Sequence, residues 1–127
     1  MNYHAMMKEY NQVNISSKIE NAGSHKFIKL IFEELISNLK SLSYGIENGP
    51  IKFKNKSKNF SQSLTSIMIL CQSLDFEKGE PIASNLFNLY DYCRKAIIKD
   101  YKNNEFHNIN QCIDILEEIN EAWSQIG

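Results

Sequence analysis

The sequence predicts an all-α protein, an antiparallel up-down four-helix bundle with a short N-terminal helical cap. Apolar residues recur at spacings of three and four along four long stretches, the period of a helix with a buried face. Glycine and proline are scarce, 5 and 2 in 127 residues, and most lie at the breaks between those stretches. The connections are short, which favours antiparallel neighbours.

The first 23 or so residues are polar and rich in Asn and Ser, with Tyr3, Met6, Met7, Tyr10, Val13, Ile15 and Ile19 as apolar anchors. A helix over residues 3–11 is too brief to be stable alone and needs a surface to lie on. The whole chain, 1–127, reads as one helical-bundle domain with residues 1–23 as a mobile cap segment.

The first long helix is expected from Ser24, a good N-cap, to about Glu47. Phe27, Ile28, Ile31, Phe32, Leu35, Leu39 and Leu42 form its stripe, Leu30 and Tyr44 lie off it, and Asn48, Gly49 and Pro50 end it. Lys52, Lys54, Lys56 and Lys58 then alternate, a pattern open to a phosphate or acidic-partner patch but read first as a solvated connection, because no arginine or aromatic platform accompanies them. Four positive charges oppose the dipole at a helix start, so part of this run should precede regular helix. The second helix is expected over about residues 57–74, with Phe60, Leu64, Ile67, Met68, Cys71 and Leu74 inward and Ile69 outward.

Residues 73–92 organise everything else. In the break Glu77–Pro81, Gly79 suits the left-handed position past a helix end and Pro81 suits the first turn of the next helix. One helix should therefore stop near Asp75 and the third begin near Pro81, running to about Lys102. Ile82, Leu86, Leu89, Tyr90, Cys93, Ala96 and Ile97 make its core stripe; Tyr92 flanks it on one side and Phe87, Ile98 and Tyr101 on the other. Together they cover roughly 240° of the helix, against about 100° for an ordinary amphipathic helix. Such a helix needs burial on two faces, so apolar surface is left over once a bundle core is filled. Asn103 and Asn104 tolerate the left-handed cap that ends it. The fourth helix spans about residues 106–125 on a stripe of Ile109, Cys112, Ile113, Leu116, Ile119 and Trp123.

Composition excludes several classes of function. A chain 43% hydrophobic and 23% charged with net charge −1 is an ordinary globular one, and the near-neutral balance argues against nucleic-acid binding through a broad basic face. No apolar run reaches the 18 or so residues of a membrane span, and the N-terminus lacks the pattern of a signal peptide, so a cytoplasmic protein without membrane insertion is expected. Cys71, Cys93 and Cys112 each sit singly in an apolar pattern and read as reduced core residues.

No catalytic constellation is legible. A di-metal bundle site needs Glu-x-x-His pairs facing inward. Glu105 and His107 are two apart and cannot share a helical face. His4, His25 and His107 fall near element ends, as surface or capping groups, and Glu33, Glu34, Glu117 and Glu118 lie at outward or boundary angles. There is no P-loop, GxSxG or HExxH. A protein that is not an enzyme and needs no cofactor or metal is the expectation.

The run Leu74 to Ile97 resembles the signature of the flagellar secretion chaperone FliS family, which Leu74, Asp75, Glu77, Lys78, Gly79, Ile82, Ala83, Asn85, Leu86, Leu89, Tyr90, Asp91 and Tyr92 match. Tyr10, the stretch AGSHKFIKLIFEEL and Ala122–Trp123 resemble three further family features, so the likeness runs from about Tyr10 to Trp123. Ser24, Phe27, Glu80 and Cys93 depart from the usual proline, leucine, second glycine and methionine.

The resemblance implies a cytoplasmic chaperone that binds the disordered C-terminal segment of flagellin, prevents premature polymerisation and assists delivery to the flagellar type III export apparatus. An adaptor for a different flagellar or regulatory client is the alternative. The expected binding residues are Tyr10, Ile82, Asn85, Leu86, Leu89, Tyr90, Tyr92 and Cys93, with Tyr10 and the residues before it covering the groove when no client is bound.

Overall fold

A computed structural model describes residues 24–49 and 55–126. The expected N-terminal cap, Tyr10, Lys52 and Lys54 lie outside the described residues. Among those described there are four helices and no strand: α1 (Ser24–Asn48), α2 (Lys56–Gln72), α3 (Ile82–Asn103) and α4 (His107–Ile126). The boundaries fall within one or two residues of their expected places, the scatter normal for helix ends, except that α2 stops short of Asp75.

The helices form a closed ring in which α1 and α3 each pack on both α2 and α4. Cross-helix partners fix the directions. His25 meets Trp123 and Ser43 meets Asn110, so α1 and α4 run antiparallel. Phe60 stacks on Tyr101 at the start of α2 and the end of α3, and Asp100 meets Ile109 across the α3–α4 turn. Up-down topology follows.

α1 is the spine. Ile28, Phe32, Leu35, Leu39, Leu42 and Ile46 alternate at four and three, the seam of a bundle helix, and all are buried with Phe27, Ile31 and Ile36. From α3, Tyr90, Cys93, Ala96 and Ile97 meet them, and from α4, Ile109, Cys112, Ile113 and Leu116.

Four placements, two on α2 and two on α3, need correction here. Ile69, placed outward, is buried, and Met68, placed inward, is 41% exposed. α2 is rotated because Ser63 and Ser66, not its larger residues, sit deepest beside Ile67 and Leu70. A serine is tolerated there when its hydroxyl bonds the preceding turn, and Ser63 Oγ–H donates to the Asn59 carbonyl at 2.7 Å. On α3, Ile82 and Leu89 are exposed, whereas Ala83 and Asp100 are buried.

Asp100 is interior because it builds the α3–α4 turn. Its carboxylate accepts the Ile109 N–H at 2.8 Å and the Asn108 side-chain amide at 3.0 Å, satisfying an orphan donor in the first turn of α4. Its own carbonyl accepts the Glu105 N–H at 2.8 Å across Asn104, whose φ of 55° is the expected left-handed cap. Gly49, with φ 88°, ends α1 as expected.

Candidate functional site: an open apolar groove

At the opposite end of the bundle the connection between α2 and α3 is built from its own polar groups. α2 stops at Gln72, short of the expected Asp75, and Ser73 Oγ–H donates back to the Leu70 carbonyl at 2.7 Å. Asp75 then starts a separate turn, its carboxylate accepting the N–H groups of Glu77 and Lys78, both at 3.0 Å. Gly79 N–H donates to the Asp75 carbonyl at 2.8 Å.

Gly79 is not left-handed, contrary to expectation; a Cβ there would stand 2.6 Å from the Asp75 carbonyl oxygen, so close approach of backbone is what requires glycine. Glu80 accepts the Ser84 N–H at 2.7 Å and the Ser84 hydroxyl, and thereby caps α3, since Pro81 has no side chain able to do so.

This connection holds the first turns of α3 beside a groove of about 410 Å³. Ile28 and Phe32 of α1 form its floor with Tyr90, while Ile82, Ala83 and Leu86 of α3 make one wall. Ile119, Ala122, Trp123 and Ile126 of α4 make the other, and Leu74 closes the end towards α2. Ile82 is 66% and Ile126 74% exposed, so large side chains stand at both lips without cover among the described residues. Of the polar residues at its end, Asp75 is already engaged by its own turn, which leaves apolar contact as the chief attraction the groove offers.

Trp123 holds one wall to α1. Its ring stacks on His25 with centroids 4.5 Å apart; Trp123 Nε1–H donates to the His25 carbonyl at 2.9 Å, and His25 Nε2–H donates to the Trp123 carbonyl at 2.8 Å. His25 is thus a clamp across the open end, more than the surface or capping group expected. Burial pushes the Tyr90 hydroxyl above the ordinary tyrosine range, so Tyr90 contributes a neutral ring to the floor.

The expected binding residues separate into three settings. Ile82, Leu86 and Tyr90 line the groove. Asn85, Leu89 and Tyr92 are exposed on the other flank of α3, where the Tyr92 hydroxyl lies 3.5 Å from Gln111 Oε1 of α4. Cys93 is interior, hydrogen-bonded to Cys112, whose thiol that bond and burial together raise well above its usual value. Tyr10 lies outside the described residues.

Sequence reasoning missed the α1 and α4 contributions. Ile126 falls beyond the expected helix end, while Ile28, Phe32 and Ile119 carry the ordinary signature of core positions. Trp123, an aromatic near the chain's end, was the available signal.

Among the described residues no group of histidine, cysteine and carboxylate side chains is arranged to hold a metal, and no helix is long and apolar enough to cross a membrane. Among the described residues, a helical bundle with an apolar groove at one end has the form that helix-in-groove binders of other polypeptide chains use. Comparison with known proteins makes this particular. The sequence matches the family described as Flagellar protein FliS over residues 6–127. It is 32% identical over 122 residues to the flagellar secretion chaperone FliS of Salmonella typhimurium, covering 95% of this chain and 89% of the relative. The flagellar secretion chaperone FliS of Vibrio cholerae is 28% identical over 120 residues, 94% of this chain and 87% of its own. Flagellar secretion chaperone FliSB of Pseudomonas aeruginosa is 26% identical over 121 residues, 95% and 94% of the two chains. The chain belongs to the FliS family of flagellar secretion chaperones, a family of chaperones and not of enzymes.

Proposed function

We propose that the groove receives the disordered C-terminal segment of flagellin in the cytoplasm, keeps it from polymerising early and assists its delivery to the flagellar type III secretion apparatus. The observation that carries this reading is the pair of uncovered isoleucines, Ile82 and Ile126, at the lips of an apolar furrow in a FliS-family chain. An amphipathic client helix laid in the furrow buries both.

Each well-buried Leu, Ile or Phe anchor supplies roughly 1.5–3 kcal/mol gross. Ordering a disordered client costs about 2–5 kcal/mol or more, so several anchors are needed and binding stays reversible. Ile82, Leu86 and Tyr90 act in the furrow with Trp123 opposite. Asn85, Leu89 and Tyr92 take a second stretch of client on the outer flank of α3, and Cys93 supports that flank from below. Tyr10 and the residues before it compete with the client for the furrow.

Calorimetric titration with a peptide covering the last few dozen residues of the same organism's flagellin tests the reading. Saturable binding supports it; absence of heat at any temperature, with the protein folded, removes flagellin as the client and leaves a different flagellar or regulatory client. Deleting the residues before Gln12 should raise the peptide's on-rate, and an unchanged on-rate and affinity would remove the competing segment.

A further inference from the structure

Net charge −1 hides a strong separation of charge. The basic side chains in the second half of α3, Arg94, Lys95, Lys99 and Lys102, are all exposed, and the one carboxylate there, Asp100, points inward to cap α4. α4 is the opposite: Asp114, Glu117, Glu118 and Glu121 are exposed and the helix contains no lysine or arginine. Lysines at the last turn of a helix are accounted for by its dipole, but that effect fades within one turn. It covers Lys102; Lys95 is accounted for by its ion pair with Asp91, and Lys99 by neither.

Lys95, Lys99 and Lys102 follow at four and three, so they stand in one row along α3, bordering a shallow depression of about 310 Å³ with half-buried Ile98 beside them. Asp91 offsets the near end of the row, its carboxylate bonding Lys95 at 2.9 Å and Arg94 at 3.0 Å. Among the described residues Lys99 and Lys102 make no ion pair. Beyond the row Lys56 extends positive charge onto α2, its Nζ 3.2 Å from the Asn104 side-chain oxygen and 5.1 Å from the centre of the Tyr101 ring.

We propose that this face of α3 is a peripheral docking surface for an anionic lipid membrane. Lysine, a compact and strongly hydrated charge without a fixed fork, suits a diffuse field of headgroups; bidentate recognition of carboxylates on an acidic protein favours arginine, and the row itself has none. The depression that the row borders is shallow and has Ile98 beside the lysines, which suits a broad anionic surface more than one enclosed anion. With this face on the bilayer, the lysines meet the negative leaflet, while Glu117 and Glu121 of α4 border α1 and not the row. The groove lies at the start of α3, away from the row, and remains free to hold a client. No insertion is involved.

The test is flotation of the full chain with vesicles of pure phosphatidylcholine and of phosphatidylcholine with about one-third phosphatidylglycerol. We expect binding to the anionic vesicles alone, at low ionic strength, and its loss at about 0.3 M salt, where charges are screened beyond a few ångströms. The triple variant Lys95→Gln, Lys99→Gln, Lys102→Gln, checked for fold by circular dichroism, should bind on the order of a hundredfold more weakly, since each lysine near such a surface is worth about 1 kcal/mol. Glu→Gln changes at Glu117 and Glu121 control for net charge and should not weaken binding. Equal recovery with both vesicle types, or a triple variant that floats like the wild type, overturns the proposal. Capture by immobilised polyglutamate without flotation on anionic vesicles also overturns it, assigning the row to an acidic protein.

Discussion

The two ends of the bundle are built from the same kinds of residue and finished in opposite ways. At the α3–α4 turn, Asp100 is withdrawn from solvent to cap α4, Asn104 closes α3, and Phe60 and Tyr101 stack with centroids 3.8 Å apart. At the α2–α3 connection, polar groups are spent on the loop itself, through Asp75 and Glu80, and the neighbouring isoleucines stay in water. Exposed apolar side chains are ordinary when single; gathered on both lips of one furrow they mark a surface that another chain covers. One end therefore serves stability, and the other is where the client binding proposed above falls.

The largest break in that contrast comes from the interior. Ile97→Ala, at a position without exposure, should cost about 2–5 kcal/mol by urea denaturation. A loss near zero would mean that the helices do not meet there. Next comes Asp100→Ala, which leaves the Ile109 N–H and the Asn108 amide without their acceptor and should cost about 1–3 kcal/mol. Asp100→Asn should recover part of this, because one acceptor oxygen remains.

At the open end, Ile82→Ala should change stability by no more than about 0.5 kcal/mol, because the side chain is mostly exposed. The same variant should weaken client binding several-fold or more; a variant that is destabilised but binds normally would reverse the roles assigned to the two ends. The smallest effect is a pH response on the outer side of α3. Lys95 and then Arg94, hydrogen-bonded to Asp91, hold its carboxyl below the ordinary value. Such a group supports the fold above its unfolded pKa, and that support is lost as pH falls through the lower folded pKa. Asp91→Asn should therefore be slightly destabilising at neutral pH and indistinguishable from wild type in strong acid, by thermal midpoint.

Much of this was legible before any coordinates. The seam of α1 declares itself through unbroken alternation of large apolar residues, and the excess apolar arc of α3 foretold uncovered surface. What escaped has physical reasons. Ser63 and Ser66 are interior because small side chains let α2 pack closely, and a hydrophobicity pattern assigns them to water. Asp100 is interior because a carboxylate that receives backbone and amide donors no longer needs solvent, which depends on a turn no periodicity reveals. Ile82, Leu86 and Tyr90 of the groove are among the expected binding residues, whereas the flanking surplus of α3, Tyr92, Phe87, Ile98 and Tyr101, does not line it; Trp123, Ile126 and Ile119 become the other wall through the His25 clamp and the ring order of the helices.

Trp123 is the chain's one tryptophan and stands in the wall of the groove, so its emission reads the central claim directly. Titrating the flagellin C-terminal peptide should shift that emission to shorter wavelength and saturate at one peptide per chain. Ile82→Asp, which places a charge on the opposite lip in a helix position that favours acids, should abolish the shift without unfolding the protein. Peptide binding detected by calorimetry that leaves Trp123 emission unchanged, or that survives Ile82→Asp undiminished, would contradict the assignment of this groove to the client.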